Sequence, residues 1–512
     1  MKLDRHRHGS ALAGPLVVTV LAGALAGCGI GPRFRSPGAP PVGRYTQRPM
    51  PQATLAAHGS AGGAQRFHYG VSPQVRWWKA FRSRPLDRLI AVALSHNNTL
   101  AADRARLLRA RAVVVADEGI FYPQLNGNLG AARAKSPTHG SLPGIYSLYS
   151  GGLSVSYYPD VFGANKLVYN SAEAQARLVR DQLLAAELTL AGNVATAAVQ
   201  AASARAQIRA TEHIIARETE LLRLTKLQYR SGAVPYLSVV NQESQLATSK
   251  AALPALLQQL ALERYTLAAL IGRFPAQWHP IHLRLSSLHL PRNLPVSLPS
   301  VLARSRPDIR AATEQMRYAN AEIGIADAQF YPIVQLTGSI GQESLTVGHF
   351  FNAASNVWSV GASLLAPLFH GGTLRAQRRE ALELYAEARA TYQQTVLGAF
   401  RQVAGTLRAL DHDAQALRDE GDAYAASQEA LRLAQESYRA GAIDSLSLLT
   451  TEALYSQARI AYVRAEGQRY LDTVALYTAL GRGPLSTQAQ KGAPMPNPAK
   501  TVSTAPPQRD AR

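Results

Sequence analysis

Tyr438-Arg439-Ala440-Gly441-Ala442-Ile443-Asp444-Ser445-Leu446-Ser447-Leu448-Leu449 interrupts a long heptad pattern, and the chain carries a near copy of it, Tyr229-Arg230-Ser231-Gly232-Ala233-Val234-Pro235-Tyr236-Leu237-Ser238-Val239-Val240. The offset is 438 − 229 = 209 residues, and the same offset relates Phe121-Tyr122-Pro123 to Phe330-Tyr331-Pro332, Gly163 to Gly372, and Gly272-Arg273 to Gly481-Arg482. The chain is therefore a tandem duplication. Each tip Gly stands where one helical pattern stops and another begins, which is where a residue tolerant of the left-handed conformation belongs. Each copy is expected to fold as a helical hairpin with Gly232 or Gly441 at positive φ.

The seven-residue spacing of Ile208, Ile215, Leu222 and Tyr229 leads into the first tip, and Leu417, Tyr424, Leu431 and Tyr438 lead into the second. It resumes at Val239, Leu246, Leu253, Leu260 and Leu267 after the first, and at Leu448, Tyr455 and Tyr462 after the second. Such seams predict coiled-coil packing of each returning arm on its outgoing arm. From Gly163 to Tyr229 the outgoing arm spans 66 residues, or roughly 100 Å of helix at 1.5 Å per residue.

The 512 residues are 47% hydrophobic and 17% charged, enough apolar material for a large core. A net charge of +20 raises nucleic acid or an anionic membrane as partners. The charge is mostly Arg spread along Ala-rich helices without a basic run, so it reads as solvated helix faces, and nucleic acid is not expected. Lys2, Arg5 and Arg7 precede an apolar stretch from Ala11 to Ala26 that ends in Leu25-Ala26-Gly27-Cys28, the only Cys. This is the pattern of a signal peptide. Its ending resembles the bacterial lipobox, which implies cleavage before Cys28, a lipidated thiol, and, with Gly29 following, an outer-membrane address. A lone Cys excludes a disulfide framework.

The chain divides into a signal peptide (1–27), a lipidated extended tether (28–84), a first repeat (85–275), a connecting equatorial segment (276–294), a second repeat (295–484) and a disordered tail (485–512). The tether is Pro-, Gly- and Ala-rich and aperiodic. Helical pattern covers Leu86 to Ile120 and ends at Pro123, which cannot continue a helix. Strand pattern follows at Leu125–Ala134 and Tyr146–Tyr158, and again at Val334–Gln342 and Trp358–Leu365. Val334, Leu336 and Ile340 share a face, as do Trp358, Val360, Ala362 and Leu364, with Ser359 and Ser363 opposite. That alternation, at about 9 to 11 residues, suits strands of a membrane barrel, although amphipathic hairpins packed on helices would share it.

No other segment reads as a spanning helix. Four strands cannot close a barrel, but three chains supply twelve, which predicts a homotrimer. Pro123, Gly163, Pro332 and Gly372 then mark the turns between barrel and helices. The His279, His282 and His289 group fits no helical pair of metal ligands and lacks a carboxylate, so neither a metal nor any other cofactor is expected. Nucleophile elbows, paired helical His and phosphate-binding Gly loops are lacking, so an enzyme is not expected. A structural coiled-coil lipoprotein spacing the envelope layers fits the heptads but has no use for strands.

Taken together, the lipobox, Trp77-Trp78 before a Leu-rich helix, Arg306-Pro307-Asp308-Ile309-Arg310, Ala319-Asn320-Ala321-Glu322-Ile323-Gly324 leading into Phe330-Tyr331-Pro332, and the paired Tyr-Arg-Xaa-Gly-Ala tips resemble the TolC-like outer-membrane efflux channels, in their NodT-type lipoprotein branch. The resemblance covers almost the whole mature chain. It implies a mainly α fold with membrane β-strands, a trimeric 12-strand barrel over a 12-helix periplasmic tunnel, and tips that meet a periplasmic adaptor coupled to an inner-membrane pump. It also implies a gate at the tips, formed from Tyr229, Arg230, Gly232, Tyr438, Arg439, Gly441, Asp444, Ser447 and Thr450. Asn241 and Thr450 stand where the family commonly has Asp, and Asp444 is the nearest carboxylate. Asp444 could pair with an Arg of a neighbouring hairpin or cap the returning helix.

Overall fold

The computed structural model describes residues 30–135, 144–279 and 283–482. Cys28, the signal peptide, His282 and the tail from Gly483 lie outside them. In chain order the elements are β1 Arg66–Tyr69, α1 Arg84–His96, α2 Asn98–Glu118, β2 Gln124–Lys135, β3 Ile145–Tyr157, α3 Ala164–Arg230, α4 Tyr236–Leu270, β4 Asn293–Val296, α5 Pro299–Ser305, α6 Pro307–Ala328, β5 Ile333–Ser344, β6 Asn356–Leu365, α7 Thr373–Arg439 and α8 Ser445–Leu480. The 209-residue offset carries α2 onto α6, β2 onto β5 and α3 onto α7, and the last two helices have 67 residues each. The repeats do not fold as separate bodies. One compact unit draws on residues up to 38, 104–180 and 310–395, and the other on 39–103, 181–309 and from 396 on.

The first unit holds an antiparallel sheet in the order β2-β3-β5-β6. Its register aligns Leu125, Leu129, Leu153, Val155, Leu336, Ile340, Trp358, Val360 and Leu364 on one face, and Asn126, Asn128, Ser154, Ser156, Thr337, Ser339, Ser359 and Ser363 on the other. The alternation gives out at Arg133, near the far end of β2. Neither face is covered: on the apolar one Leu129 is 92% exposed and Val360 81%, and on the polar one Asn126, Asn128, Thr337, Ser339, Ser359 and Ser363 are exposed. In the same unit, Met316 and Ala319 of α6 pack on Ala388 of α7 and receive Phe34.

In the second unit the heptad positions meet as expected. Ile208 packs on Leu260, and Leu431 packs on Leu448 and Tyr455. Trp77, 1% exposed, stacks on Tyr477 with ring centroids 5.6 Å apart, and Phe81 closes on the same ring. Arg306 ties three helices together: it grips both oxygens of Asp308 at 2.9 and 3.0 Å and donates to the Ala479 carbonyl and the Gln402 side chain.

Three expectations need correction. The helical stretch from Leu86 to Ile120 is two helices, broken at Asn97, whose backbone is extended. The Asn97 carboxamide accepts from the Leu100 N–H at 3.1 Å and donates to the Leu270 carbonyl at 3.0 Å, so it caps α2 and binds α4 at once. The tether is not a free extended segment from Ile30 onward. Asn320 donates to the Pro32 carbonyl, Arg317 lies over the Phe34 ring, and β1 pairs in parallel with β4, from the other side of the first repeat. The connecting segment is likewise built in, with Leu283, Leu285, Leu288 and Leu294 buried. One further helix, α3, is apolar and long enough to cross a bilayer, but 67% of the qualifying stretch is buried inside the protein, as a core helix would be. The copies also differ at their ends, where Gly481 has φ −68° and its counterpart Gly272 +71°.

Candidate functional site

Two regions gather the residues singled out in the sequence: the turns below the sheet and the hairpin tips. At the first turn, Tyr122 is extended, as the residue before Pro123 must be. Gly163 follows at φ 81°, and the Asp160 carboxylate accepts from the N–H groups of Asn165 and Lys166 at 2.9 and 2.8 Å, capping the 67-residue helix that begins there. The equivalent turn has Gly371 and Gly372 at φ 55° and 88°, with His370 before them and no Asp at the equivalent place. It is preceded by Leu368 and Phe369, 95% and 89% exposed. A cleft of about 700 Å³ opens beneath the strand starts, lined by Ile120, Tyr122, Val161, Phe162 and Ile333 among others.

At the tips, Gly232 and Gly441 have φ 76° and 75°. In both copies the Gly N–H returns to the Tyr carbonyl three residues back and the following Ala N–H reaches five residues back, the double bond of a glycine-ended helix. The copies differ in burial. Tyr438 is half-buried and donates to Gln228 Oε1 at 2.7 Å, whereas Tyr229 is 44% exposed and leans on Tyr236, so only the second Tyr occupies the seam. The Ser238 and Ser445 hydroxyls meet at 2.7 Å, so the two hairpins of one chain are joined where their returning helices start. Asp444 caps α8, accepting from the Ser447 N–H at 2.8 Å, and the Ser447 hydrogen bonds hold its carboxyl below the usual range. Arg230, Arg439, Ser447 and Thr450 are exposed, and the Thr450 hydroxyl donates back to the Leu446 carbonyl.

Sequence reading missed a buried polar cluster one stage up the hairpins. Glu218 of α3 accepts from Gln245 and Ser249 of α4 at 3.1 and 2.9 Å, while Glu452 of α8 is 3% exposed with one oxygen unpartnered. Arg217 lies over the Tyr455 ring beside them. Burial pushes Glu452 up to about 7, with Arg217 pulling it back and Glu218 pushing it further. A buried Glu on a heptad helix looks like any surface Glu in sequence. Folded protein holds this proton between pH 4.5 and 7 while unfolded protein has released it, so stability falls as pH rises through that window and levels off above it. The full swing is about 3 kcal/mol. Glu452→Gln is expected to flatten it, read as a smaller drop in unfolding midpoint between pH 5 and pH 8 by circular dichroism. A drop as large as the wild type's would remove Glu452 as its source.

Against known proteins, the family model described as outer membrane efflux protein matches residues 89–273 and 298–482, one match per repeat. The chain is 32% identical over 417 residues to the pyoverdine export outer membrane protein OpmQ of Pseudomonas aeruginosa, covering 80% of this chain and 87% of that one. It is 29% identical to the outer membrane protein OprJ of the same organism over 91% of this chain and 95% of that one. Among solved structures, the outer-membrane channel OprN superposes with a TM-score of 0.81 at 27% identity, over 89% of this chain and all of that one. The open state of the Neisseria gonorrhoeae MtrE channel gives 0.77 at 26%, over 89% and 99%.

Proposed function

The chain belongs to the outer membrane efflux protein family, and from that premise we propose how its parts make a duct. It is the outer-membrane channel component of a tripartite efflux system, working with a periplasmic adaptor and an inner-membrane pump, and its helices form the periplasmic tunnel. Three copies close a 12-strand barrel around the lumen, each contributing the four strands β2, β3, β5 and β6. One observation carries this reading: a sheet with an apolar face, a polar face, neither covered, and no strand beside the outer edges of β2 and β6 among the described residues. Bilayer lipid would cover the apolar face and water the polar one, and only a neighbouring copy can satisfy the edge groups.

The Cys28 thiol carries diacylglycerol in this reading, and the mass of the mature amino-terminal peptide checks it: an unmodified Cys28 would end the proposal. The hairpin tips form the periplasmic mouth, where the adaptor docks and the gate closes. The Asp444 carboxylate is exposed while it caps the helix, so in this reading it also meets Arg230 or Arg439 of the next copy and the two roles coexist. Single-channel recording in planar bilayers tests duct and gate together. The wild type should show a defined conductance with low open probability. Asp444→Asn keeps a capping oxygen and loses the charge, so it should open more often. An unchanged open probability would leave Asp444 as a cap alone, and absence of any conductance would refute the duct.

A further inference from the structure

Leu368 and Phe369 are almost wholly exposed, yet they do not belong to the lipid-facing file of the sheet. They follow Pro367, below the last residue of β6 and ahead of the Gly371-Gly372 turn into α7. The cleft beneath the strand starts runs from the start of β2, where Ile120 is 37% exposed and Tyr122 61%, past the end of β3 to Ile333 of β5, 56% exposed, so its outer end lies at the edge of the sheet opposite β6. Leu368 and Phe369 do not line the cleft of their own chain. Every neighbouring pair in the sheet is antiparallel, so β6 runs opposite to β2. If β6 of one copy pairs antiparallel with β2 of the next, the end of β6 at Leu365 falls beside the start of β2 at Gln124. Three or four further residues reach roughly 10 Å, and Ile120 and Tyr122 lie the same few residues before Gln124.

We propose that Leu368 and Phe369 of each copy seat in the cleft beneath the β2 strand start of the next copy, an apolar peg that locks the ring below the barrel. This rests on the three-copy barrel. Within one chain the exposed peg does not line the exposed cleft, and a neighbouring copy brings the two together at the β2 end. Burial of two large apolar side chains three times over would add to what the strand ladders supply.

A benzoyl-phenylalanine placed at position 369 of the full-length, membrane-assembled protein provides the test, after extraction in detergent and confirmation of trimer mass. Irradiation should give covalent dimers and trimers on denaturing gels, with cross-linked peptides mapping to residues 116–124 or 158–165. Cross-links to lipid alone, to residues of the same chain alone, or to none within a confirmed trimer overturn the peg while leaving the barrel intact. A monomer mass before irradiation overturns the three-copy reading instead. As a second measurement, Leu368→Ser with Phe369→Ser should lower the temperature at which the trimer falls to monomers in dodecyl sulfate. Melting at the wild-type temperature overturns the proposal.

Discussion

Val360→Arg is expected to abolish assembly in the outer membrane, while Ser359→Arg, one residue away, is expected to be tolerated. Val360 sits mid-strand in β6, 81% exposed, in file with Trp358 and Leu364 and paired across to Gly338 of β5. An Arg at the bilayer midplane on a barrel's lipid face costs about 2–4 kcal/mol, and three copies make that roughly 6–12, comparable with the whole stability of many folded proteins. Ser359 points the other way, where its hydroxyl meets that of Ser339 at 2.8 Å on a face of Ser, Thr and Asn. An added Arg there would stand in water. Outer-membrane fractionation with unheated and heated gels reads both: a trimer-sized, heat-modifiable band for Ser359→Arg and none for Val360→Arg. The reverse pattern would mean the sheet is inside out.

Arg469→Met should release the amino-terminal segment from the helical body. Arg469 is 1% exposed on α8 and donates to the Leu410 carbonyl, the Thr54 hydroxyl and the Gly63 carbonyl. Burial lowers its pKa to about 10, against the pull of Asp472 and Asp413, so it stays charged near neutrality. Met fills similar space but withdraws the guanidinium from the Leu410 and Gly63 carbonyls and the Thr54 hydroxyl, and removes a charge that favours ionised Asp472, which burial and the Asp413 hydrogen bond already push up to about 8. Loss of one side of such a buried network costs about 3–5 kcal/mol. Limited proteolysis should then cut between residues 52 and 65, a stretch otherwise held by Ser60 on Glu466 and by Tyr462 on His58. Arg469→Lys, with one ammonium in place of a fork, should fall between the two. Protection equal to the wild type in Arg469→Met would show that β1 and the Ser60 contacts suffice.

Periodicity made most of the fold legible. All four strands of the large sheet lie within two residues of where alternation put them, because pleat and hydropathy share one period. The 67-residue helices and both positive-φ glycines could be placed because duplication repeated the signal. What escaped has no period. β1 and β4 are four residues each, joined across 227 positions by backbone bonds that leave no mark on side-chain pattern. Asn97 breaks α1 from α2 with a single carboxamide inside an otherwise helical run. Glu218, Glu452 and Arg469 sit on helices whose exposed faces are also charged, so their burial depends on which neighbours arrive, and that is decided in three dimensions. At the tips the glycine turns were readable, but the exposure of Tyr229 against the half-burial of Tyr438 was not, since the two copies read alike.

The docking of residues 30–34 sets a leash. Gly31 presses so close to Gly324 of α6 that a Cβ there would stand 2.6 Å from its Cα, so the chain is moored from its third residue past Cys28. Three residues extend at most about 11 Å. If Cys28 is acylated as proposed, its chains enter the leaflet beside α6 and act as a fixed depth marker, holding the strands at one height in the membrane before the barrel has closed.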